Sequence, residues 1–426
     1  MIKVAIVCKT GASTWLSCQV ISANLIQAYS KIDDIDLTFV EDRSSSGAYG
    51  GILTAEELVS GNFEKIVFIE HTPHPIEILK GLYHLSKTYK PELYFHVYGD
   101  FTLNLDKWVI VESILKNYNT CFICASDKHS GLITKFINSQ NSLVKTIPFP
   151  VNESLFYYSE ELRHQYRQSM SWSEDEFVIL YSGRLSLQKN ILYLIEAFDF
   201  FRRSIRGKVK LCLVGWVDDL GLPYIGKSRL SGMMDYEIQF LIKKLFYPDA
   251  VSMIQYLGNV PNESLNKIYN AADLFVSPST HNDEDFGMSV GEALLTGASA
   301  VLTDWGGYSQ FASISKDLVS LIPVIKSKDK NSPDFQKLII QLIDKFKSYN
   351  PKGREEAALS AQNSLSTKKI SNLLYELLLN PNENNQFNGF TDIMHATKQS
   401  FVVNPNSPFG FGKKYNDLYR ELYGDY

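Results

Sequence analysis

The chain has 426 residues, a length that allows two domains, each with a hydrophobic core of its own. Its 47 Asp and Glu residues outnumber its 42 Lys and Arg residues, so it lacks the basic excess with which nucleic-acid-binding proteins neutralise phosphate, and we expect no nucleic-acid partner. It contains no run of about 18 uncharged apolar residues, and the apolar segment at residues 2–8 is too short for a signal peptide, so we expect neither a membrane-spanning helix nor a leader.

Short apolar segments alternate with helical patterns through the first half of the chain. Strands are predicted at residues 3–8, 36–40, 65–70, 93–98, 120–125 and 143–147. Helices are predicted at residues 15–29, 76–89, 107–117 and 127–137. Because this alternation is typical of parallel sheets with crossover helices, residues 1–165 are predicted to form one doubly wound α/β domain.

The same alternation resumes after a polar segment near residues 150–175. Strands are predicted at residues 177–181, 210–214, 252–256, 274–277 and 300–303, and helices at residues 190–203, 264–272 and 287–295. Residues 170–365 are therefore predicted to form a second Rossmann-like domain. The connection at residues 216–229 is longer than such a domain needs, and no motif explains it.

The composition changes to Asn, Phe, Gly and Pro from about residue 380. Nine Phe and Tyr residues are spread from Phe387 to Tyr426. Disordered segments are poor in aromatic residues, so we expect this extension to pack on a surface.

Five cysteines are present, and two of them, Cys121 and Cys124, have the spacing of a redox motif. They lie within a predicted strand, not at a helix start, where a thiolate would be stabilised. The cysteines are interpreted as buried structural thiols in a reducing cytosol, which indicates a cytoplasmic protein.

Four motifs follow one another in the second half of the chain. They are Gly183-Arg184 with Lys189 five residues after Arg184, the segment at residues 256–265, Glu284 with Glu292 eight residues later, and Asp304 to Gly307. In this order they resemble the donor-binding half of the retaining glycosyltransferases of family 4. The resemblance extends from residue 1 to about 380. It implies the GT-B fold, two Rossmann-like domains facing a cleft, with a last helix that crosses back to the first domain. We expect residues 366–426 to contain this helix and the aromatic extension, which lies outside the resemblance.

Arg184 and Lys189 lie on either side of a turn that ends a strand and opens a helix. Both cations and the helix N-terminus can therefore face one anion. The resemblance implies that these cations bind the diphosphate of a nucleotide-sugar. It also implies that Glu284 lies at the hydroxyls of the donor sugar and that Glu292 accepts hydrogen bonds from the ribose.

Further donor-binding positions follow from the resemblance. They are Gly11, Gly183, Val260, Phe286, Gly287 and Met288. Gly11 belongs to the loop after the first strand, where Ala12 replaces the family's second glycine. Asp283 and Asp285 have the spacing of a metal-binding pair, but enzymes of this fold use cationic side chains instead, so neither a metal nor another cofactor is expected.

Catalytic candidates in the first half are histidines that follow strands. His96 lies at the carboxyl end of a predicted strand, where open α/β sheets bind ligands, and the family has a histidine there near the transferred sugar. The alternative is a histidine of the core. His71 and His74 are weaker candidates. Residues 44–51, rich in Ser and Gly, are interpreted as a flexible loop that contacts the acceptor or serves as an ordinary linker.

The predicted activity is transfer of a hexose or N-acetylhexosamine from a nucleotide-diphosphate sugar to a glycan or lipid-linked glycan, with retention, in the synthesis of bacterial surface polysaccharide. UDP and GDP donors are both open, as are the oligomeric state and peripheral contact with the inner face of the cytoplasmic membrane. One alternative is a nucleotide-sugar epimerase of the same fold. The other is a non-catalytic nucleotide-sugar-binding protein, which the presence of all four charged residues disfavours.

Overall fold

The computed structural model describes residues 2–9, 16–69, 75–99, 101–138, 143–219, 230–246, 248–282, 284–327, 331–380, 386–400 and 421–426. Contacts divide these residues into two compact units. Unit one comprises the described residues up to Pro150 together with 367–400 and 421–426, and unit two comprises the described residues of Val151–Ser366.

Strands and helices alternate along most of the described chain. The strands are β1 Lys3–Cys8, β2 Asp36–Glu41, β3 Lys65–Phe68, β4 Glu92–Val97, β5 Thr120–Cys124, β6 Val144–Thr146, β7 Phe177–Ser182, β8 Val209–Val214, β9 Ile254–Tyr256, β10 Leu274–Ser277, β11 Ser299–Thr303, β12 Val319–Ile322, β13 Val324–Lys326 and β14 Asn331–Pro333. The helices are α1 Leu16–Ser30, α2 Gly47–Gly61, α3 Pro75–Leu85, α4 Leu105–Ile110, α5 Glu112–Leu115, α6 Asp127–Thr134, α7 Glu160–Ser169, α8 Ile191–Ser204, α9 Met233–Phe246, α10 Ala250–Met253, α11 Asn262–Ala271, α12 Met288–Leu295, α13 Tyr308–Ile314, α14 Phe335–Ser348, α15 Arg354–Leu365, α16 Thr367–Leu379 and α17 Asp392–Ser400. None of the described helices is both long and apolar enough to cross a membrane.

Each unit contains one six-stranded sheet in which neighbouring strands pair in parallel. The strand order is β2-β1-β3-β4-β5-β6 in unit one and β12-β11-β10-β7-β8-β9 in unit two. Residues of β3, β5, β7, β8 and β10 are buried along their whole length, because helices cover both faces of a parallel sheet. The predicted α/β class with two Rossmann-like units is confirmed.

Both sheets have a position at which the direction of winding reverses. In unit two the chain starts at β7, moves outward through β8 and β9, and returns to the other side of β7 to form β10. In unit one the same reversal separates β1 from β3. Ligands of open α/β sheets bind at the carboxyl ends of the strands at such a reversal, so these two places are where each unit is expected to bind a ligand.

Residues 44–51 do not form the flexible loop that their Ser and Gly content predicts. A short 3-10 helix at Ser44–Ser46 leads directly into α2, which packs against α3. A Cβ atom on Gly51 would lie 2.5 Å from the Cβ of Glu77, and one on Gly81 would lie 2.7 Å from the Cβ of Ala55. The small residues therefore permit close approach of two helices, and the prediction of a loop was wrong because the same composition serves both purposes.

The division between the units falls at the start of the polar segment, residues 150–175, in which the sequence placed it. The first domain was predicted to end at residue 165, whereas contacts assign Val151 and the residues after it to unit two. Helix α7 packs against α11, and both Arg163 and Arg167 donate to the buried carboxylate of Asp273 at 2.7 Å. These ion pairs join α7 to unit two, and no local pattern in the sequence predicts them.

The described part of the C-terminal region packs within unit one. Helix α16 contacts α1, and α17 contacts α4. The aromatic extension adds Phe387, Phe390 and Tyr423, which are buried. Main-chain hydrogen bonds join it to the residues that follow α6, since the Asn138 N–H donates to Gly389 O at 2.8 Å and the Thr391 N–H donates to Phe136 O at 2.9 Å. For the residues that the structure describes, the prediction that the extension packs on a surface is confirmed.

The cysteines lie where the sequence placed them. Cys121 and Cys124 are buried inside β5, Cys8 and Cys212 are buried, and Cys18 is half-buried. Burial raises the pKa of Cys121 to about 12, which keeps its thiol protonated. This agrees with structural thiols and not with a redox pair.

Candidate functional site

Two loops of unit two leave the sheet side by side, where the winding reverses between β7 and β10. The first begins at Gly183 and leads through the short 3-10 helix Leu187–Lys189 to α8. The second begins at Pro278 and leads to α12. Thr280 donates its N–H to Gln188 O at 3.3 Å, so the two loops are joined directly.

Asn190 sets the geometry of the first loop. Its φ of 54° is left-handed, a conformation that asparagine adopts more readily than most residues. Its side-chain amide donates to Pro278 O at 2.8 Å and to the Thr280 hydroxyl at 2.9 Å. Asn190 therefore ties the loop that contains Lys189 to the loop that contains Glu284.

Lys189 and Glu284 form an ion pair within this site. Lys189 Nζ lies 2.5 Å from Glu284 Oε2, and their side chains are only 15% and 8% exposed. A pair so shielded from water interacts more strongly than a surface pair. The structure thus brings together the cation predicted for the diphosphate and the carboxylate predicted for the donor sugar.

Arg184 lies next to Gly183, at the end of β7. Its Nη1 donates to Asp218 Oδ2 at 2.8 Å, and its carbonyl oxygen accepts from the Tyr181 hydroxyl at 2.7 Å. Gly183 has a φ of 148°. Gly215 follows the neighbouring strand β8, and a Cβ atom on Gly215 would lie 2.0 Å from the carbonyl oxygen of Gly183. Close approach of two backbones therefore requires glycine at Gly215.

Glu292 is buried on the inner face of α12. Its Oε2 accepts a hydrogen bond from the Tyr269 hydroxyl at 2.9 Å. Burial raises the pKa of Glu292 to about 7, and the bond from Tyr269 lowers it only in part. Near neutral pH this carboxyl can accept or donate a hydrogen bond, a property suited to a hydroxyl-rich ligand.

The N-terminus of α12 lies between the two glutamates. Gly287 precedes it with φ 96°, and a Cβ atom there would lie 2.4 Å from the ring of Tyr308, so glycine is required for both conformation and space. Met288 is half-buried at the first helical position. The first N–H groups of a helix have no acceptor within it and can bind phosphate oxygens. Phe286, in contrast, is fully buried against Phe311 at a ring separation of 4.8 Å, so only its main chain can contact a ligand.

His281 and Tyr308 also belong to the site, although the sequence did not single them out. Burial, followed by the nearby charges of Lys189 and Arg184, lowers the pKa of His281 well below its ordinary value. Burial, followed by the Glu284 carboxylate, raises the pKa of Tyr308. Both side chains therefore stay neutral beside charged groups. His281 lies three residues before Glu284, and this proximity was the one available signal.

Val260 lies at the same edge of the sheet, in the loop between β9 and α11. Its side chain is half-buried. The edge strand β9 is two strands away from β7, so this loop leaves the sheet on the same side as Gly183.

His96 of unit one has a different environment. It lies inside β4 with 1% of its surface exposed, and its Nε2 is 2.8 Å from the Tyr29 hydroxyl of α1. Burial lowers the pKa of His96 to about 3, so the ring stays neutral. Its Nδ1 has no hydrogen-bond partner among the described residues. These contacts favour the alternative that the sequence left open, a histidine of the core.

Several predicted residues lie outside the described part of the chain. They are Gly11, His71, His74 and Asp283. Residues 10–15, which come shortly after β1, and residues 70–74, which come shortly after β3, also lie outside the described residues.

Comparison with known proteins agrees with this geometry. Residues 163–350 match the family model of glycosyl transferases group 1, a span that contains Arg184, Lys189, Glu284 and Glu292. The structure of HepE from Anabaena in complex with UDP superposes with a TM-score of 0.63 over 88% of this chain and 99% of that one, at 16% identity. The fold is the GT-B fold. At this level of identity the superposition shows the fold alone.

Two curated relatives match parts of the GT-B chain. An uncharacterized glycosyltransferase of Methanocaldococcus jannaschii is 30% identical over 197 residues, which are 45% of this chain and 45% of the relative. The lipopolysaccharide 1,2-N-acetylglucosaminetransferase of Salmonella typhimurium is 29% identical over 154 residues, which are 36% of this chain and 37% of the relative. The chain thus matches less than half the length of each of these relatives.

Proposed function

We propose that this protein transfers a hexose or N-acetylhexosamine from a nucleoside diphosphate sugar to a glycan or lipid-linked glycan, with retention and without a metal ion. The observation that supports it is the grouping of two cations and a carboxylate on the two loops where the winding of unit two reverses. A metal-free transfer needs fixed positive charge at the departing diphosphate, because that group gains negative charge as the glycosidic bond breaks.

Arg184 and Lys189 are proposed to supply this charge. Arg184 can bind two phosphate oxygens with its planar guanidinium, and Lys189 acts as a point charge on a short 3-10 helix. Because Lys189 lies 2.5 Å from Glu284, a diphosphate bound at Lys189 brings the attached sugar close to Glu284. Glu284 is then in reach to accept hydrogen bonds from the sugar hydroxyls.

Glu292 is proposed to bind the ribose, and the N-terminus of α12 to bind phosphate oxygens between ribose and sugar. The main chain of Phe286, with Gly287 and Met288, contributes to the phosphate site, and Gly183, Val260 and Gly11 complete the donor-binding set. HepE, whose structure superposes on this chain, was crystallised with UDP, so UDP sugars are the first donors to test, with GDP sugars second.

The acceptor is proposed to bind unit one. A lipopolysaccharide-glycosylating enzyme among the partial relatives supports a surface glycan or its lipid-linked precursor as the acceptor class. Such an acceptor implies work in the cytoplasm, in peripheral contact with the inner face of its membrane. His96 keeps a catalytic role in this proposal only if its replacement slows transfer without lowering stability.

The experiment supplies UDP and GDP sugars with and without lipid-linked glycan acceptors and measures release of the nucleoside diphosphate. Acceptor-dependent release supports a transferase, and equal release without acceptor favours the epimerase alternative. The same assay with excess chelator tests the metal-free mechanism, and we expect unchanged rates. Lys189→Ala should abolish most of the release, whereas Lys208→Ala is the matched control, because Lys208 is an exposed lysine of unit two that pairs with Asp175.

A further inference from the structure

The loop that follows β8 is held against the loop that follows β7 by main-chain hydrogen bonds. Leu185 donates its N–H to Trp216 O at 2.8 Å, and Asp218 donates its N–H to Leu185 O at 3.0 Å. These bonds fix the backbone of Asp218 beside Arg184, and its Oδ2 lies 2.8 Å from Arg184 Nη1. The fold therefore places a carboxylate directly on the cation assigned to the diphosphate.

The adjacent carboxylate in the same loop has a different role. Asp219 accepts hydrogen bonds from the main-chain N–H groups of Gly232 at 2.6 Å and Met234 at 2.7 Å. These bonds join Asp219 to the start of α9. Asp219 therefore stabilises the loop, whereas Asp218 faces the site.

We propose that Asp218 competes with the diphosphate for Arg184 and thereby sets the affinity of the site for the nucleoside diphosphate. This inference rests on the proposed function, because it requires Arg184 to bind the diphosphate. A diphosphate at Arg184 brings its oxygens next to the Asp218 carboxylate, and like charges at this distance repel. The side chains of Arg184 and Asp218 are 20% and 19% exposed, so the carboxylate can turn toward water when a phosphate takes its place.

Competition of this kind has a consequence for turnover. A site made of Arg184, Lys189 and a helix N-terminus would hold a departing diphosphate tightly, and product release limits the rate of many enzymes. If Asp218 pairs with Arg184 again as the diphosphate leaves, it lowers the activation free energy of product release. In the opposite role, Asp218 orients Arg184 and remains paired with it, and replacing Asp218 then weakens binding of the diphosphate. The two roles therefore predict opposite changes in diphosphate affinity when Asp218 is replaced.

The test measures, by calorimetry, the binding of UDP, GDP and inorganic pyrophosphate to the unaltered protein and to the Asp218→Asn variant. Asp218→Ala is a second variant. We expect both variants to bind more tightly by about fivefold, the factor that corresponds to roughly 1 kcal/mol for a partly exposed pair. Pyrophosphate should show the same gain as the nucleotide, because the competition concerns the diphosphate alone. Asp235→Asn is the control for net charge, since Asp235 is exposed on α9 and accepts a hydrogen bond from Gln239. We expect this variant to bind the three probes with the affinities of the unaltered protein.

The outcomes separate this inference from the function on which it rests. Unchanged or weaker binding by both Asp218 variants, with normal binding by the unaltered protein, overturns the competition and leaves the proposed function intact. A gain that Asp235→Asn shares also overturns it, because general charge then explains the effect. If the unaltered protein binds none of the three probes, both the inference and the proposed donor site are wrong.

Discussion

Units one and two contain parallel sheets of the same size and the same type of reversal, yet they place different side chains near their centres. In unit two, Lys189 and Glu284 form a shielded ion pair on the loops that leave β7 and β10. In unit one, strand β4 and helix α1 supply a buried neutral pair instead, His96 and the Tyr29 hydroxyl. The comparison teaches that the scaffold provides the position of a site, whereas the placement of charge provides its chemistry.

The C-terminal extension of unit one and helix α9 of unit two also place their aromatic side chains differently. In unit one, the C-terminal extension buries Phe387, Phe390, Met394, Leu422 and Tyr423 against the sheet and its helices. In unit two, α9 presents Tyr236 and Phe240 to solvent. The aromatic residues of the extension thus contribute to the core of unit one, whereas Tyr236 and Phe240 of α9 lie on the surface of unit two.

The largest expected effect tests the role of the extension in unit one. Deletion of residues 385–426 should lower the free energy of unfolding by more than about 5 kcal/mol, because burying each large apolar side chain contributes about 1.5–3 kcal/mol. Thermal denaturation measures it. Phe387→Ala is the milder version, and Phe240→Ala is its control because Phe240 is 56% exposed. A truncated protein with the melting temperature and solubility of the full chain would contradict the assignment.

Next in size is the effect of removing a cation from unit two. Lys189→Ala or Arg184→Ala should lower turnover by about 10² to 10³, the usual loss for one preorganised group that stabilises transition-state charge. Arg184→Lys should not restore it, because the planar fork of donors is lost. Steady-state kinetics with the best donor provides the measurement, and near-normal turnover of Lys189→Ala would remove this residue from the diphosphate site.

A smaller effect distinguishes a core histidine from a catalytic one in unit one. Because His96 is buried and bonded to Tyr29, His96→Ala should lower the free energy of unfolding by about 2–4 kcal/mol. Tyr29→Phe removes only the hydrogen bond and should cost about 1 kcal/mol. A His96→Ala protein that melts normally but transfers slowly would restore the catalytic role.

The lowered pKa of His96 also predicts a dependence of stability on pH. Its pKa is about 3 in the folded protein and near 6.5 when unfolded, so between these values the unfolded chain binds more protons. The contribution of His96 to stability is therefore complete above pH 6.5 and is lost as pH falls toward 3. Melting curves of the protein and of His96→Ala should diverge less at pH 5 than at pH 8.

The smallest effect separates the two glutamates of unit two. Glu292→Gln should weaken binding of the nucleoside diphosphate about tenfold, or about 1.4 kcal/mol, because a bond to the ribose is lost. Glu284→Gln should not weaken this affinity and should slow transfer instead, since Glu284 is proposed to contact the sugar. Calorimetry with the nucleoside diphosphate alone measures the affinities, and steady-state kinetics measure the rates of transfer. Equal losses of affinity in the two variants would contradict the division of roles.

Local patterns in the sequence were sufficient for most strands of both sheets. The strands β1 and β10 begin and end where their apolar runs predict, because buried parallel strands are apolar along their whole length. The pattern failed where a residue type has two uses. Ser and Gly at residues 44–51 indicate a loop in sequence but allow α2 to pack closely on α3 in the fold. The strands β12, β13 and β14 were not predicted.

The sequence by itself determined the α/β class and most of the strands, and it placed Arg184, Lys189, Glu284 and Glu292 in segments that follow strands, because these features depend on short-range periodicity. Only the tertiary structure decided which charges meet. Asp218 and Arg184 are 34 residues apart, and Lys189 and Glu284 are 95 apart, so no local pattern links them. Their contacts exist because parallel strands end at a common edge, and the burial that decides the state of His96 and Glu292 exists only once the sheets are covered.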